Sequence, residues 1–551
     1  MRRNKNSNDN NGLTILFLPV ATKEPNSRRE IELRLSSARS HIAKSMHRHR
    51  KASNLLPEED DIDTNTQAKS TAISKITPER GPGHLLLTPA QLRTCVIPDK
   101  TLDSHSTMLL HYCTQFFWPG FELGSAAFHF PPFAVDYNTL VAQGPALVHA
   151  VLWRAAVSQA IRRKSRVTDR GSLVHYSQAM TYISKEITKP ISEIHEQTLY
   201  AILSLCGAEM LPDEAEDISK KALDPPLAEL SWIHVFGRRL HIDAHVNALV
   251  RLVDLKGGMH SLTNPSFQAS FNYMDLTRAT QKLVKPHFPV SQVYGHVKES
   301  HDRAKFFGFG SDFAYPACYA DSSPQIDKLS ELGLVDNIRE VICDIRIWVK
   351  VIEAYHHGLL TNPDSSLLAA HRNLIQQRLL ATLPEGYDGT KPLSTENIDQ
   401  AAENENVWIN EITQTALLIF SLGVTCPITY APSYHHSTRR LQAQIERYMQ
   451  SAIEMELFDF LTWLGMFGAL CAEQVGDGRR EWYIQFLSTI ERKHIITRTT
   501  RTWEQVKQES LEPFLWSEVA CDAAAEKTWF HAQLQSWDVT AWSSMLGTIC
   551  G

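Results

Sequence analysis

Apolar residues recur at helical spacing through much of the chain after residue 105. One stripe covers residues 147–155, a second covers 246–253, and a third covers 338–352. Side chains three or four positions apart share one face of a helix, so each stripe predicts an amphipathic helix with a buried face. A further apolar pattern over residues 441–464 predicts one long helical face.

The pattern predicts an all-α fold, a multi-helix array following an N-terminal linker. Alternating runs of β-branched residues of comparable length are missing from the sequence. Helices of ten or more residues joined by connections with Pro and Gly are typical of all-α domains. Gly257 and Gly258 after the second stripe predict a helix end, because glycine adopts the left-handed conformation at little cost.

A change in aromatic content predicts where the folded part begins. Residues 18–111 contain no Phe, Trp or Tyr, whereas residues 112–133 contain eight. A segment poor in apolar residues cannot bury enough surface to offset the loss of chain entropy. We therefore expect a short apolar strand and a basic helical segment over 1–51, a flexible linker over 52–104, a helical domain over 105–535, and a tail over 536–551.

Composition and charge exclude several protein classes. The 551 residues are 43% hydrophobic and 21% charged, close to an ordinary globular balance. A formal net charge of -6 argues against attraction of the whole molecule to nucleic acid. The apolar run at 460–472 is shorter than the roughly 20 residues that a membrane-spanning helix needs.

The nine cysteines are too scattered for a zinc-based DNA-binding module. No CxxC pair occurs, and such a pair usually nucleates the compact zinc sites of zinc fingers and binuclear clusters. Scattered cysteines are also typical of a reducing, intracellular compartment. We therefore expect no direct, sequence-specific DNA binding from the sequence as given.

Catalytic motifs are largely missing, and the sequence predicts neither an enzyme nor a bound cofactor. It contains no GxSxG, GxxxxGK[ST], GxGxxG or HExxH pattern. The strongest remaining constellation is His234, His241 and His245, because histidines at i and i+4 on a helix share a face and could bind zinc or iron. The alternative is that these histidines line the start of a helix, and we predict no metal site.

The basic segment near the N-terminus is a candidate for nuclear import or for contact with a partner. Its cationic residues are Arg28, Arg29, Arg34, Arg39, Lys44, Arg48, Arg50 and Lys51. A cluster of this kind binds import receptors or acidic surfaces, although a solvated helix without a partner is equally compatible with the composition. No heptad zipper and no bracing helix accompany it, so it lacks what a DNA-reading helix requires.

Several segments, in order along the chain, carry a resemblance to a known family. They are LFLPVATKEPNSRREIELRLSSARSHIAKSMHRHRK, HVNALVRLVDLKGGMHSL, YMDLTRATQKLVKPHFP, HRNLIQQRLL, TQTALLIFSLGVTCPI and LTWLGMFGALCAEQVGDGRREWYIQFL. Together they resemble the regulatory domain of fungal-specific transcription factors of the zinc-cluster type, including regulators of secondary metabolism. The resemblance covers roughly residues 13–51 and 105–520. The six-cysteine cluster of that family is missing, so no DNA-contact residue can be assigned.

The resemblance implies a transcription-regulator-like protein, located in the nucleus and also in the cytoplasm, that is not an enzyme. Protein partners and a small effector bound between helices would then replace direct DNA contact, and no membrane association is expected. Two other hypotheses stay open: a helical scaffold protein, and an all-α metal-dependent enzyme built around the three histidines. An upstream exon encoding the zinc cluster would restore DNA binding.

Overall fold

The computed structural model describes residues 103–121, 141, 144–163, 167, 169–210, 222–237, 239–289, 323–360, 363–384, 386–387, 389, 407–428, 430–497 and 501–536. The helices of this part of the chain are α1 Ser104–Tyr112, α2 Pro145–Arg162, α3 Arg170–Glu186, α4 Glu196–Leu205, α5 Ile233–Phe236, α6 Asp243–Leu255, α7 Pro265–Lys282, α8 Pro324–Glu331, α9 Asp336–His356, α10 Ser365–Ala381, α11 Val407–Phe420, α12 Ala431–Glu454, α13 Phe458–Gln474, α14 Arg479–Thr497, α15 Trp503–Val506 and α16 Glu518–Ser536. The expected all-α class is confirmed. Among the described residues, a single antiparallel pair of short strands interrupts the helices: β1 Gly207–Met210 and β2 Arg239–His241.

The N-terminal helices form a bundle around α2. Helix α2 packs against α3 and α4, and α1 lies along α2. Pro145 at the first turn of α2 supplies a preset helical φ where no backbone N–H bond is needed. Asp169 caps α3 by accepting a hydrogen bond from the Ser172 backbone N–H at 2.7 Å. The predicted end of α6 is confirmed, because Gly257 and Gly258 have φ of +103° and +86°.

Helices α7 and α10 are both capped at their N-termini and largely buried. Asn264 caps α7, and the Asp364 carboxylate caps α10 by accepting from two backbone N–H groups. Every residue from 367 to 377 of α10 is buried, so this helix has no solvent face over three turns. Helices α7 and α10 contact each other, and α10 also packs against α9 and α11.

The C-terminal helices α11–α14 and α16 pack around α13, whose interior is buried on all sides. The prediction of one continuous face over residues 441–464 is wrong, because α12 ends at Glu454 and α13 starts at Phe458. Glu456 between them has φ of +54°, which reverses the chain and lets the two helices pack side by side. The apolar spacing is real, but its two halves belong to different helices.

Buried side chains of all these helical groups join one apolar cluster. None of the described helices is both long enough and apolar enough to cross a membrane. Residues 1–102 and 537–551 lie outside the described residues. The proposed strand, the basic segment, nearly all of the linker and the tail after Ser536 are therefore predictions that the structure does not address.

Candidate functional site: a buried polar seam

Helices α7 and α10 carry many polar side chains into the core, and we call seven of them the polar seam. Its members are Asn272, Asp275, Arg278, Gln281, Arg372, Gln376 and Gln377, each at most 8% exposed. Burying a polar group is costly unless it is hydrogen-bonded, and the cost is larger for a charged group. A concentration of such residues between two core helices therefore requires specific partners.

At one end of the seam, side chains form hydrogen bonds with the backbone that follows α7. Asp275 accepts a hydrogen bond from the Phe288 N–H at 2.9 Å, and Gln377 Nε2 donates to the Phe288 carbonyl at 2.8 Å. Asn272 Nδ2 donates to the carbonyl of Pro289. Three side chains from two helices thus fix the position of Phe288 and Pro289, in the irregular segment after α7.

The same three side chains retain hydrogen-bonding capacity in the interior. Asn272 Oδ1, Asp275 Oδ1 and Gln377 Oε1 are buried and accept no hydrogen bond from the residues that the structure describes. The nearest cation, Arg278, places Nη1 3.9 Å from Asp275 Oδ1, which is too long for a hydrogen bond. Buried acceptors without a donor are rare in native proteins, so these three oxygens are the polar atoms of the seam whose hydrogen-bonding requirement is not met by the described residues.

The electrostatics of this end follow from burial. Removal from water raises the pKa of Asp275 above its usual value, and the Phe288 N–H, His287 and Arg278 oppose that rise. The protonation of a buried carboxyl with a raised pKa is sensitive to any charge or hydrogen-bond donor added beside it.

The middle of the seam holds a strained turn. Ser231 and Trp232 both adopt left-handed backbone conformations, with φ of +53° and +58°. Arg372 Nη1 donates to the Leu230 carbonyl at 2.7 Å, and the Tyr273 hydroxyl donates to the Ser231 carbonyl at 2.6 Å. Left-handed conformations of non-glycine residues cost on the order of 1–3 kcal/mol each and persist only where the surroundings impose them. Arg372 and Tyr273 supply that constraint.

Replacing Ser231 by glycine is expected to relieve this strain. Ser231→Gly should be about 1 kcal/mol more stable than Ser231→Ala, because glycine enters the left-handed region without steric cost, while part of the gain is lost to the freer unfolded chain. Urea denaturation of the two variants measures the difference. Equal stability would show that the turn at Ser231 is unstrained.

The other end of the seam ties α10 to its neighbours. Gln376 Nε2 donates to Thr280 Oγ1 at 3.0 Å, and Ser421 donates to Gln376 Oε1. Ser421 begins a wide π-turn, Ser421–Thr425, at the end of α11. Burial raises the pKa of the Cys426 thiol just after that turn, and the guanidinium of Arg372 opposes the rise.

The three histidines singled out in the sequence take separate structural positions. His241 ends β2, where its Nδ1 lies 2.9 Å from Gln281 Oε1 of the seam. His245 lies in α6 with Nδ1 3.1 Å from the Leu205 carbonyl, and His234 lies in α5 with its ring stacked on Trp232. His241 and His245 therefore do not share a helix face as the i, i+4 spacing suggested.

Among the described residues, no three His, Cys, Asp or Glu side chains form a group that could hold a metal ion. The metal-dependent enzyme hypothesis, which needs His234, His241 and His245 together, lacks the ligand set it requires. The eight cationic residues from Arg28 to Lys51 lie outside the described residues, so the structure does not place the import or partner candidate.

Comparisons with protein-family models, with curated proteins and with solved structures found no match for this chain. The assignment of a site therefore depends on the geometry alone.

Sequence reasoning missed the polar seam, although two quoted segments supply it. Asn272, Asp275 and Arg278 lie within or beside YMDLTRATQKLVKPHFP, and Arg372 and Gln377 lie in HRNLIQQRLL. The available signal was a helix whose polar residues occupy adjacent positions, as in His371-Arg372-Asn373 and Gln376-Gln377, without an apolar face of its own. The sequence of such a helix fits either an exposed helix or a helix with polar contacts in the core. The packing of α7 against α10 shows that the second applies here.

Proposed function

We propose that this chain is a transcription-regulator-like protein without its own DNA-binding module, whose helical body acts through protein partners and responds to a small effector at the polar seam. The observation that carries the proposal is the set of buried acceptors on Asn272, Asp275 and Gln377 that no described residue satisfies. The ordered resemblance to fungal regulatory domains supports it, because two segments of that resemblance contribute the seam.

The chemistry of the seam limits which small molecules could act as the effector. One carboxyl oxygen and two amide oxygens face inward with acceptor capacity, and Arg278 lies beside them as a cation. The matching ligand is a small molecule with several N–H or O–H donors and an apolar body for the surrounding core. Its contacts would alter the hydrogen bonds of Asp275 and Gln377 to Phe288 and thereby the position of the backbone that follows α7.

The basic segment would determine where the protein is located in the cell. Its eight Arg and Lys residues would engage the import machinery, and partner proteins would carry the contact with DNA. The protein would then be found in the nucleus and in the cytoplasm.

The experiment combines location and transcription in the native host. A fluorescently tagged chain is expected in the nucleus, and replacing the eight cationic residues by Gln should shift it to the cytoplasm. The matched control replaces exposed cations of the helical domain, such as Lys350 and Lys527, and should leave the location unchanged. Exclusively cytoplasmic location together with an unchanged transcript profile on deletion would rule out the proposal.

A further inference from the structure

A pair of buried histidines connects the first three helices. His149 of α2 and His175 of α3 place their Nδ1 atoms 2.9 Å apart, and each residue is 7% exposed. His175 Nε2 lies 3.0 Å from the hydroxyl of Ser106, a residue of α1. One chain of hydrogen bonds therefore runs from α1 through α3 to α2.

The distance between the two rings limits how many protons the pair can hold. Two Nδ1 atoms at 2.9 Å form one hydrogen bond, so only one of them carries a proton. A second proton at this contact would place two N–H donors and a positive charge face to face in the core. The contact can exist only while the pair is not fully protonated.

The groups around the pair do not compensate an added charge. Burial, together with the neighbouring His175, lowers the pKa of His149 to about 3. Burial also lowers the pKa of His175 to about 4, with Asp103 and Asp169 opposing and His105 adding to the effect.

Other side chains near the pair offer no closer counter-charge. The Tyr182 ring stacks on His149 with centroids 5.9 Å apart, and the Lys185 ammonium lies 5.7 Å from the centre of that tyrosine ring. The carboxylates nearest the pair, Asp103 and Asp169, already cap α1 and α3.

The first turn of helix α1 is tied to α3 by polar contacts, and Tyr112 at the end of α1 meets the hydroxyl of Ser158 in α2 at 3.2 Å. Besides Ser106, His105 Nε2 lies 3.3 Å from Ser172 Oγ and 3.2 Å from Asp169 Oδ1, at the start of α3. The apolar side chains of Leu109, Leu110 and Cys113 hold the rest of the helix. Repulsion between two imidazolium rings at 2.9 Å would displace the ring of His175, and with it the Nε2 atom that meets Ser106 in the first turn of α1.

We propose that the His149–His175 pair is an acid-sensitive latch that holds α1 against α2 and α3, and that protonation of both imidazoles releases α1 while the C-terminal helices stay folded. This regulatory device is independent of the effector at the polar seam. The two protons come from solvent, and the only covalent bonds that form are N–H bonds.

The same geometry resembles a nucleophile–base pair, but the chemistry favours a latch. A catalytic serine needs a base whose pKa is close to the working pH and a group that stabilises the resulting imidazolium. His175 has a strongly lowered pKa, and its second partner is a neutral imidazole rather than a carboxylate. Ser106 is also only 3% exposed.

The direction of the pH effect follows from linkage. Both histidines have folded-state pKa values below the ordinary 6.5, so the released form binds more protons as the pH falls. The latch is therefore intact above pH 6.5 and weakens progressively below it. Between pH 7 and 5.5 the opening equilibrium should rise on the order of tenfold for each imidazole.

Hydrogen–deuterium exchange of the full chain tests the latch, with rates corrected for the intrinsic pH dependence of exchange. Protection of peptides from α1 should fall at least tenfold between pH 7 and 5.5, while protection of α13 stays unchanged. Unchanged protection of α1, or loss of protection in α1 and α13 together, would overturn the proposal.

Two variants separate the latch from a general effect of acid. His149→Asn keeps a polar group near the Nδ1 position but removes one titrating ring, so the pH dependence of α1 protection should fall by about half on a logarithmic scale. His245→Asn removes a buried imidazole of α6 instead and should behave like the parent chain. Identical pH profiles for His149→Asn and the parent would contradict the latch. If His149→Asn fails to fold, the exchange measurement on the parent chain still tests the proposal.

Discussion

Arg501→Met is expected to lower the free energy of unfolding by about 3–5 kcal/mol, the largest single effect that the structure predicts. Arg501 is buried just before α15 and donates two hydrogen bonds to Glu491 Oε2, at 2.7 and 3.0 Å. Glu491 of α14 is fully buried. Removing the guanidinium would leave this carboxylate without its cation in the core, which costs far more than an exposed pair is worth.

Urea denaturation followed by tryptophan fluorescence measures this loss. The matched control is Arg339→Met, which breaks an exposed pair with Asp327 at 3.5 Å and should cost less than about 1 kcal/mol. Adding Glu491→Leu to Arg501→Met should recover part of the stability, because the unpaired charge is then gone. Equal losses for Arg501→Met and Arg339→Met would show that the Arg501–Glu491 pair is not buried as described.

Gly468→Ala is expected to cost about 1–3 kcal/mol through steric overlap between α13 and α14. A Cβ at Gly468 would lie 2.0 Å from Cε1 of the Tyr483 ring, closer than real contacts allow. Tyr483 cannot move freely, because it is fully buried and its hydroxyl donates to the Thr438 carbonyl at 2.7 Å. The overlap outweighs the roughly 1 kcal/mol by which alanine favours a helix over glycine.

The control for this prediction is Gly478→Ala, just before α14. A Cβ there meets no atom within 4 Å, and the residue does not require a left-handed conformation. Its melting temperature should match that of the parent chain, whereas Gly468→Ala should melt several degrees lower. A Gly468→Ala variant as stable as the parent would mean that α13 and α14 do not approach each other at this glycine.

Local sequence patterns predicted the helices that have one apolar face. The stripe at 338–352 became α9, and the glycine pair at 257–258 ended α6, because spacing and glycine geometry act within a few residues. The break at Glu456 escaped prediction, since no glycine or proline marks it and the apolar spacing continues across it. Packing between the two halves, not local preference, decides that reversal.

The candidate site could not be read from the sequence for the same reason. Asp275 and Gln377 are 102 positions apart and meet only because α7 and α10 pack together around Phe288. His149 and His175 also lie on different helices, with no motif to link them. By contrast, the local i, i+4 spacing of His241 and His245 suggested a shared helix face. Strand β2 ends at His241 and helix α6 begins at Asp243, so the two histidines lie in different elements.

The proposed function requires that an effector donate hydrogen bonds to the polar seam and thereby control transcription. Asp275→Asn tests it, because the amide keeps the side-chain size and one oxygen to accept from Phe288 but replaces the second carboxyl oxygen with an N–H donor. The measurement is the transcript profile of the native host carrying this variant, beside the parent and a full deletion. We expect Asp275→Asn, at normal protein level and location, to reproduce the transcript changes of the deletion. A profile identical to that of the parent, in a host whose profile does change on deletion, would contradict it.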